Sequence, residues 1–301
     1  MERSRLYRVA GHVFRVVMPE GHGLWGSMQN YEPFEVCEGT PLFTLTVLET
    51  PYSEPEMKPL YRETPDRADM PRVTVYRKQP GWAFTMSAAE GCPQSFLLDA
   101  SEDFQFATLC LLADGQFQSF ALNNSLMLLY TMNTTSLDTL AMHSSVVMKD
   151  GKGYMFLGTS GTGKSTHSRM WLENIPGAEL LNDDNPVLRL LPGQDGRTVA
   201  VVYGTPWSGK TPCYRNMEVP VGAIVQIRRC SHNALHRQSI PEAYAALLMS
   251  CSGLKFREES VDELTDIQGR LLGTVPFYFI DCLPNGEAAQ VCFSGLTHDN
   301  A

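Results

Sequence analysis

The segment 158–165, Gly-Thr-Ser-Gly-Thr-Gly-Lys-Ser, constrains the fold most strongly, because it fits the pattern G-x-x-x-x-G-K-[ST] of a phosphate-binding loop. An apolar run rich in β-formers, residues 154–157, precedes it. Residues 166–174, which follow it, contain neither glycine nor proline. Strand, glycine loop and helix in this order are the context that such a loop requires. The pattern therefore predicts a nucleotide-binding unit in the second half of the chain, and the alternative is a glycine turn beside a surface lysine.

Each residue type in this loop suits a bound anion. Glycines allow positive φ, which turns successive backbone N–H groups toward the anion, and the following helix adds the positive end of its dipole. Lys164 supplies a mobile charge for the β- and γ-phosphates of ATP, and the hydroxyl of Ser165 can ligate Mg²⁺. The predicted nucleotide-contacting set is Gly158, Ser160, Gly161, Thr162, Gly163, Lys164, Ser165 and Thr166.

A pair of carboxylates follows the next predicted strand. Residues 178–181 predict a short strand that leads into Asn182-Asp183-Asp184-Asn185. One carboxylate at such a strand end can hold Mg²⁺, and the other can accept a proton from an attacking hydroxyl. Asn-Asp-Asp-Asn-Pro is also favourable turn chemistry, which is the alternative interpretation. The position shortly after a phosphate loop favours the functional one.

The length of 301 residues suggests about two domains, and a 43% hydrophobic content supports a sizeable core. Residues 1–115 predict a β-rich N-terminal domain, with one strand over 6–17 bent near Gly11 and a hairpin of residues 72–77 and 82–86. A buried helix over 117–132 is predicted to join this domain to the second one, residues 116–301.

The second domain predicts a mixed sheet. Residues 140–148 and 154–157 flank an Asp150-Gly151 turn signal and therefore predict a hairpin that leads directly into the phosphate loop. Such a hairpin places an antiparallel strand beside the loop, unlike a purely parallel nucleotide-binding sheet. Further predicted elements are the hairpin 187–191 with 198–203, a strand at 223–227, a helix at 242–250, and closing strands at 277–282 and 289–293. The predicted fold class is α+β (α/β).

Charge and composition exclude several classes of protein. The net charge of −9 argues against a general nucleic-acid binder, and no apolar run is long enough to span a membrane. The eight cysteines contain no C-x-x-C pair and no spacing typical of zinc sites, so we expect reduced thiols and a cytoplasmic location without a signal peptide. The sequence does not decide between a monomer and a homo-oligomer.

A second glycine-containing loop, residues 203–210, ends in Lys210, and Arg215 follows nearby. This loop could close over a substrate or a phosphate, and an ordinary surface turn is the alternative. The sequence leaves the roles of Lys210 and Arg215 open.

From about residue 140 to 293, the chain resembles the C-terminal catalytic domain of HPr kinase/phosphorylase and its shorter HPr-kinase-like relatives, a group that shares a nucleotide-binding core with phosphoenolpyruvate carboxykinase. The resemblance is carried by His143 before the first hairpin strand, by the phosphate loop and by the pair Asp183-Asp184. Residues 204–207 and 276–288 also fit the HPr-kinase-like relatives.

This resemblance implies an ATP- and Mg²⁺-dependent kinase that transfers the γ-phosphoryl group to a hydroxyl, with serine of a protein, peptide or small molecule as the acceptor. It implies that Asp183 is the base, that Asp184 binds the metal together with Ser165, and that His143 and Lys164 act near the phosphates. Thr166 departs from the glutamate that HPr kinases usually carry there. A phosphoenolpyruvate carboxykinase-like enzyme and a non-catalytic nucleotide-binding sensor or scaffold are the alternatives.

Overall fold

The computed structural model describes residues 1–63, 65, 68–112, 115, 117–209, 211–253 and 256–298. Over this part of the chain, the contacts divide into two compact units, Met1–Asn133 and Thr134–Ala301. Both units contain mixed sheets together with helices, so the chain is an α+β protein. The division falls after the helix predicted over 117–132, whereas the sequence placed the boundary before it.

The first unit is a mixed sheet with one long helix. Its strands pair in the order β3-β1-β2-β4-β9-β8-β7-β6-β5, in which β2, β4 and β9 are parallel neighbours. Within the described residues, its elements are β1 (Glu2–Val9), β2 (His12–Pro19), β3 (Glu35–Val36), β4 (Phe43–Val47), β5 (Tyr61–Arg62), β6 (Arg72–Arg77), β7 (Trp82–Ser87), β8 (Gln94–Ala100), β9 (Phe106–Leu111) and α1 (Gln118–Thr134).

The single bent strand predicted over 6–17 is wrong. The structure has two antiparallel strands here, β1 and β2, with Val9 opposite His12. Ala10 and Gly11 form the turn with φ of 48° and 81°, and two successive positive φ values are typical of the tightest hairpin turns. Apolar residues typical of strands lie on both sides of this turn, so the sequence predicts one bent strand instead of two strands. The hairpin predicted over 72–77 and 82–86 is confirmed as β6 and β7.

Helix α1 packs within the first unit, which explains why the division follows it. Leu122, Leu126 and Leu129 are buried. The hydroxyl of Tyr130 donates to the carbonyl of Val9 at 3.0 Å. The helix therefore covers the sheet of the first unit.

The second unit has a sheet in the order β10-β14-β15-β16-β12-β11-β13, with β18 pairing both β16 and β17. In the described part of the unit, its elements are β10 (Thr139–Ala141), β11 (Ser144–Lys149), β12 (Lys152–Leu157), α2 (Lys164–Asn174), β13 (Glu179–Asn182), β14 (Val187–Pro192), β15 (Thr198–Tyr203), β16 (Glu218–Arg229), β17 (Ala234–Arg237), α3 (Ile240–Ser250), α4 (Glu258–Leu272), β18 (Phe277–Cys282) and α5 (Gly286–His298).

The predicted hairpin into the phosphate loop is confirmed. Strand β12 pairs antiparallel with β11 and parallel with β16, so the sheet is mixed at this point. Strand β13 pairs antiparallel with β11 and therefore runs in the same direction as β12. The carboxyl ends of β12, β13 and β16 and the start of β11 consequently meet at one edge of the sheet. This topology brings the loop, His143 and the two aspartates to the same edge.

The sheet of the second unit lies between two layers of helices. Along β12, Met155 and Leu157 face a core that includes residues of α3 and α4. Tyr154 and Phe156 face a core that includes Trp171 of α2 and residues of α5. The period-two alternation of a strand with two buried faces explains why residues 154–157 are continuously apolar.

The closing strand predicted at 289–293 is wrong, because these residues belong to helix α5. Asn285 caps the helix through its Oδ1, which accepts from the backbone N–H of Ala288 at 3.1 Å. The buried residues Ala289, Cys292 and Leu296 recur at helical spacing. Helix α4 was not predicted at all. No helix in the described ranges is long and apolar enough to cross a membrane.

Candidate functional site

The glycine loop connects the buried end of β12 to the first turn of α2. Gly161 has φ of 80°, and Gly163, the residue before the helix, has φ of 120°. Side chains other than glycine are strained in this region, so both positions favour glycine. Ser160 is exposed near the loop's tip. The first turn of α2 points its N–H groups toward the loop, which makes this position suitable for an anion.

Lys164 lies inside the loop and is only 7% exposed. Its Nζ contacts His143 Nε2 and the carbonyl oxygen of Gly158, each at 2.8 Å. Burial lowers the pKa of Lys164, and the charges of Asp184 and Asp183 oppose that shift. The amine of Lys164 is therefore held at the loop by two hydrogen-bond partners. A phosphate oxygen can take the place of such a partner.

His143 connects the lysine to one of the aspartates. Its Nδ1 lies 3.0 Å from Asp184 Oδ1, while its Nε2 faces Lys164. A neutral ring that donates from Nδ1 to the carboxylate and accepts at Nε2 from the ammonium satisfies both contacts. The structure thus brings Lys164, His143 and Asp184 together in one chain of polar contacts.

The acidic segment is both a turn and part of the site. Asn182 Oδ1 accepts from the backbone N–H groups of Asp184 and Asn185 at 2.9 and 3.0 Å. This side chain builds the turn that the Asn-Asp-Asp-Asn pattern predicts. The two interpretations of the segment, turn and functional site, are therefore compatible.

Asp183 is 3% exposed, and its two carboxylate oxygens differ in their hydrogen bonding. Its Oδ1 accepts from Ser145 Oγ at 3.0 Å, and Ser145 in turn contacts Ser168 at 2.6 Å. Its Oδ2 is buried and has no hydrogen-bond partner among the described residues. An unsatisfied buried carboxylate oxygen is costly, and such atoms are typical of sites that hold a ligand, an ion or a proton.

A cavity of about 200 Å³ brings Asp183 and the phosphate loop together. Its lining includes Ser165 and Thr166 from the first turn of α2, together with Asp183 and Thr211. The sequence alone could not establish that Asp183 lies next to the phosphate loop, because this proximity depends on the direction of β13 in the sheet. Asp184 lies outside this lining and faces His143.

The second glycine-containing loop stabilises the turn at residues 182–185 through hydrogen bonds and close packing. Thr205 is buried, and its Oγ1 donates to the carbonyl of Asn185 at 2.7 Å and accepts from Asn182 Nδ2 at 3.0 Å. A side chain at Gly209 would meet Asp184 Cβ at 3.0 Å, so the two backbones are in close contact. Arg215 pairs with Glu179 at 2.6 Å. Lys210, which the sequence also singled out, lies outside the described residues.

Arg229, at the end of β16, is a site residue that the sequence did not reveal. Its Nε donates to the carbonyl of Thr162 at 3.0 Å, and its Nη2 donates to the carbonyl of Gly161. Because C=O and N–H point in opposite directions in a trans peptide, holding the Thr162 carbonyl turns the Gly163 N–H away from Arg229. No sequence signal identifies this arginine, because the parallel pairing of β16 with β12 places it there.

A second cavity, of about 270 Å³, lies on another side of the first turn of α2. Gly163, Thr166 and Arg229 line it next to the phosphate loop. Its other walls are largely apolar and comprise Met170, Ile227, Cys230, Cys282, Leu283 and Pro284, together with Thr162 and His167. The two cavities thus flank the loop.

His167 supports the loop from inside the fold. Its ring is 4% exposed, and its Nε2 accepts from Trp171 Nε1 at 3.1 Å. Burial lowers the pKa of His167 from its usual 6.5 to about 4. The ring is therefore neutral at neutral pH and carries its proton on Nδ1.

The burial of His167 predicts a loss of stability in acid. The unfolded chain binds the imidazole proton more strongly than the folded chain, so stability is complete above pH 6.5 and declines as the pH falls toward about 4. The contribution amounts to roughly 3 kcal/mol over that range. Denaturant unfolding across this pH range should show the decline, and His167→Gln, which retains an acceptor for Trp171, should make it shallower. An unchanged pH slope in the variant would contradict this assignment.

Comparisons with known proteins give distant structural likenesses and no match in sequence. No family model matches the chain, and no curated protein matches it. Among solved structures, the Hpr(Ser) kinase/phosphatase from Coxiella burnetii is similar over 53% of this chain and 89% of its own, with 12% sequence identity and a TM-score of 0.28. This is a distant relationship.

Proposed function

We propose that this chain is an ATP- and Mg²⁺-dependent kinase that transfers the γ-phosphoryl group of ATP to a hydroxyl, with serine of a protein, peptide or small molecule as the acceptor class. The observation that carries the proposal is the cavity lined by both Ser165 and Asp183, together with the buried Oδ2 of Asp183, which has no hydrogen-bond partner among the described residues. The mixed sheet beside the loop supports a nucleotide-binding core of the HPr kinase and phosphoenolpyruvate carboxykinase type.

The loop and Lys164 bind the phosphates in this proposal. The backbone N–H groups around Gly163 and the helix dipole attract the β- and γ-phosphates. A phosphate oxygen replaces the carbonyl of Gly158 as a partner of Lys164 Nζ, which now lies 2.8 Å away. His143 holds the lysine from its other side and is itself oriented by Asp184.

The residues present fit a Mg²⁺ ion. Magnesium prefers oxygen ligands and binds through one or two carboxylates together with substrate phosphates and water. The hydroxyl of Ser165 and the carboxylate of Asp184 would hold it, and the bound ion would neutralise charge that develops on the transferring phosphoryl group.

Asp183 is the base in this proposal. The acceptor hydroxyl enters the smaller cavity and attacks the γ-phosphorus, so an oxygen–phosphorus bond forms while the bond from the γ-phosphorus to the bridging oxygen of ADP breaks. The hydroxyl proton passes to Asp183 Oδ2 and then to solvent. Ser145 holds Asp183 Oδ1 at 3.0 Å and thereby orients the other oxygen. ADP and a phosphate monoester are the products.

The cavity suits a small acceptor group. A volume of about 200 Å³ admits a side chain or a small molecule rather than a second nucleotide. Leu172 and Leu180 supply apolar contacts, and Arg169 and Thr211 supply polar ones. A serine side chain presented by a peptide is compatible with this lining.

Arg229 provides a test of the loop geometry. We expect Arg229→Gln to weaken ATP binding about 10-fold, because two charge-assisted hydrogen bonds to the loop carbonyls are lost. Calorimetric titration with ATP and Mg²⁺ would measure this change. Arg197→Gln, at an exposed arginine in the turn between β14 and β15, is the matched control and should bind as the unaltered chain does. Equal affinities for both variants would exclude the proposed role of Arg229.

The direct test of the proposed function is phosphoryl transfer from γ-labelled ATP. Free serine, serine-containing peptides and small hydroxyl compounds serve as acceptors, with and without EDTA. We expect a labelled phosphate monoester that forms only when Mg²⁺ is present. Tight ATP binding without transfer to any hydroxyl would favour a nucleotide sensor or scaffold, and nucleotide turnover that depends on oxaloacetate would favour carboxykinase chemistry.

A further inference from the structure

A cluster of potential metal ligands lies at the carboxyl ends of β16 and β18. Cys230, His232 and Asp281 bring one ligand atom each to within 4.8 Å of one another. The Sγ of Cys230 lies 3.2 Å from Nδ1 of His232. The proposed kinase roles involve none of these three residues. Cysteine spacing along the sequence did not reveal the cluster, because its carboxylate comes from a strand 49 residues later in the chain.

The segment that carries two of these ligands is fixed in place. The backbone N–H of Cys230 donates to the carbonyl of Cys282 at 3.1 Å. Asn233 Oδ1 accepts from the backbone N–H of Leu283 at 2.9 Å, and its Nδ2 donates to Glu287 Oε2 at 2.9 Å. These contacts hold the turn after β16 against the residues that follow Asp281. The three ligand atoms therefore converge without a rearrangement of the backbone.

The carboxylate of Asp281 is oriented by an arginine. Arg228 donates from Nε and Nη2 to the two oxygens of Asp281 at 2.9 and 3.0 Å, and its guanidinium lies 3.6 Å from the ring centroid of Phe279. A carboxylate has lone pairs for both an N–H donor and a metal ion. Hydrogen bonds from behind a metal ligand are the usual way in which proteins fix its direction.

We propose that Cys230, His232 and Asp281 bind a zinc ion, with water in the fourth position. One thiolate, one imidazole and one carboxylate form a mixed sulfur, nitrogen and oxygen set that suits zinc and not Mg²⁺ or Ca²⁺. On binding, the thiol of Cys230 loses its proton to solvent, and neutral His232 coordinates through a ring nitrogen. The thiolate and the carboxylate balance the two charges of the ion. This inference is independent of the proposed kinase activity.

Cobalt substitution of the full-length protein tests the site without nucleotide. Co²⁺ added to the metal-free chain should produce a thiolate-to-cobalt charge-transfer band and the intense visible absorption of tetrahedral coordination, and one equivalent of zinc should abolish both. Cys230→Ser should lose the charge-transfer band. His232→Gln should weaken cobalt binding by about 10-fold or more, since changes even behind a ligand cost about that much.

Cys37→Ser is the matched control, because Cys37 is an exposed free cysteine in the first unit. Its cobalt spectrum should equal that of the unaltered chain. Circular dichroism of each variant checks that the fold is retained; Cys230 is half-buried and His232 is exposed, and both lie between β16 and β17, outside the strands. Absence of the thiolate band from the folded chain, or its persistence in Cys230→Ser, would overturn the proposal.

Discussion

Asp183→Asn is expected to lower the rate of phosphoryl transfer by about 10²–10⁴-fold, the usual contribution of a general base. The buried Oδ2 of Asp183 has no hydrogen-bond partner among the described residues, and Asp183 lines the same cavity as Ser165. Asparagine is almost the same size and can still accept from Ser145, but it cannot take up a proton from the acceptor hydroxyl. Steady-state kinetics should show the loss in kcat, while the affinity for ATP and Mg²⁺ remains within a few-fold.

Asp195→Asn is the matched control for this variant. Asp195 is an exposed carboxylate in the turn between β14 and β15, and its Oδ1 accepts from the backbone N–H of Arg197 at 3.0 Å. The control should transfer phosphate at the normal rate. If Asp183→Asn retained full activity with an intact fold, Asp183 would not be the base.

Lys164→Met is expected to weaken ATP binding about 100-fold, which corresponds to the loss of a charge-assisted contact of roughly 3 kcal/mol. The Nζ of Lys164 lies at the centre of the loop, between His143 Nε2 and the carbonyl of Gly158. Methionine retains the length and the apolar part of the side chain and removes only the charge and the donors. Calorimetric titration with ATP would measure the change.

The stability of Lys164→Met distinguishes lost binding from lost folding. Burial lowers the pKa of Lys164, which means that the charged form is less favourable in the folded chain than in the unfolded one. The substitution should therefore not reduce the free energy of unfolding at neutral pH. Lys152→Met, at an exposed position at the start of β12, is the control for removing a lysine and should bind ATP normally. Unchanged ATP affinity in Lys164→Met would show that the loop does not bind phosphate through this lysine.

The phosphate loop was predictable because its residues act through local geometry. Strand, glycines, Lys164 and helix are contiguous, and the φ values of Gly161 and Gly163 agree with the pattern. The hairpin before the loop was predictable for the same reason, since Asp150 and Gly151 supply a local turn. By contrast, apolar residues lie on both sides of the turn at Ala10 and Gly11, so the sequence predicted one strand bent near Gly11 where the structure has two.

Helix α5 shows where local patterns mislead. The run Ala289–Phe293 contains small and apolar residues that suit either element, and only the burial of Ala289, Cys292 and Leu296 on one face identifies the helix. Asn285, whose Oδ1 caps the helix, is also a common turn residue and therefore suits a turn between two strands equally well. Short apolar runs without a clear period are ambiguous in this way.

The assembly of the site could not be predicted from spacing, because it depends on strand order. His143 entered the prediction only through the family resemblance, and the structure connects it by hydrogen bonds to Lys164 and to Asp184. Arg229 and the cluster with Cys230 reach the loop's edge of the sheet because β16 runs parallel to β12. Through these strand pairings, residues that are distant in the sequence become neighbours. No local sequence pattern predicts such pairings.

A crystal structure of the chain with a non-hydrolysable ATP analogue and Mg²⁺ would show whether the glycine loop and Asp183 form one site for phosphoryl transfer. We expect the γ-phosphate to contact Lys164 Nζ and the N–H groups of the glycine loop, with Asp183 Oδ2 facing it across the smaller cavity and an open space for a hydroxyl between them. A nucleotide bound away from the loop, or an Asp183 side chain separated from the γ-phosphate by protein, would contradict it.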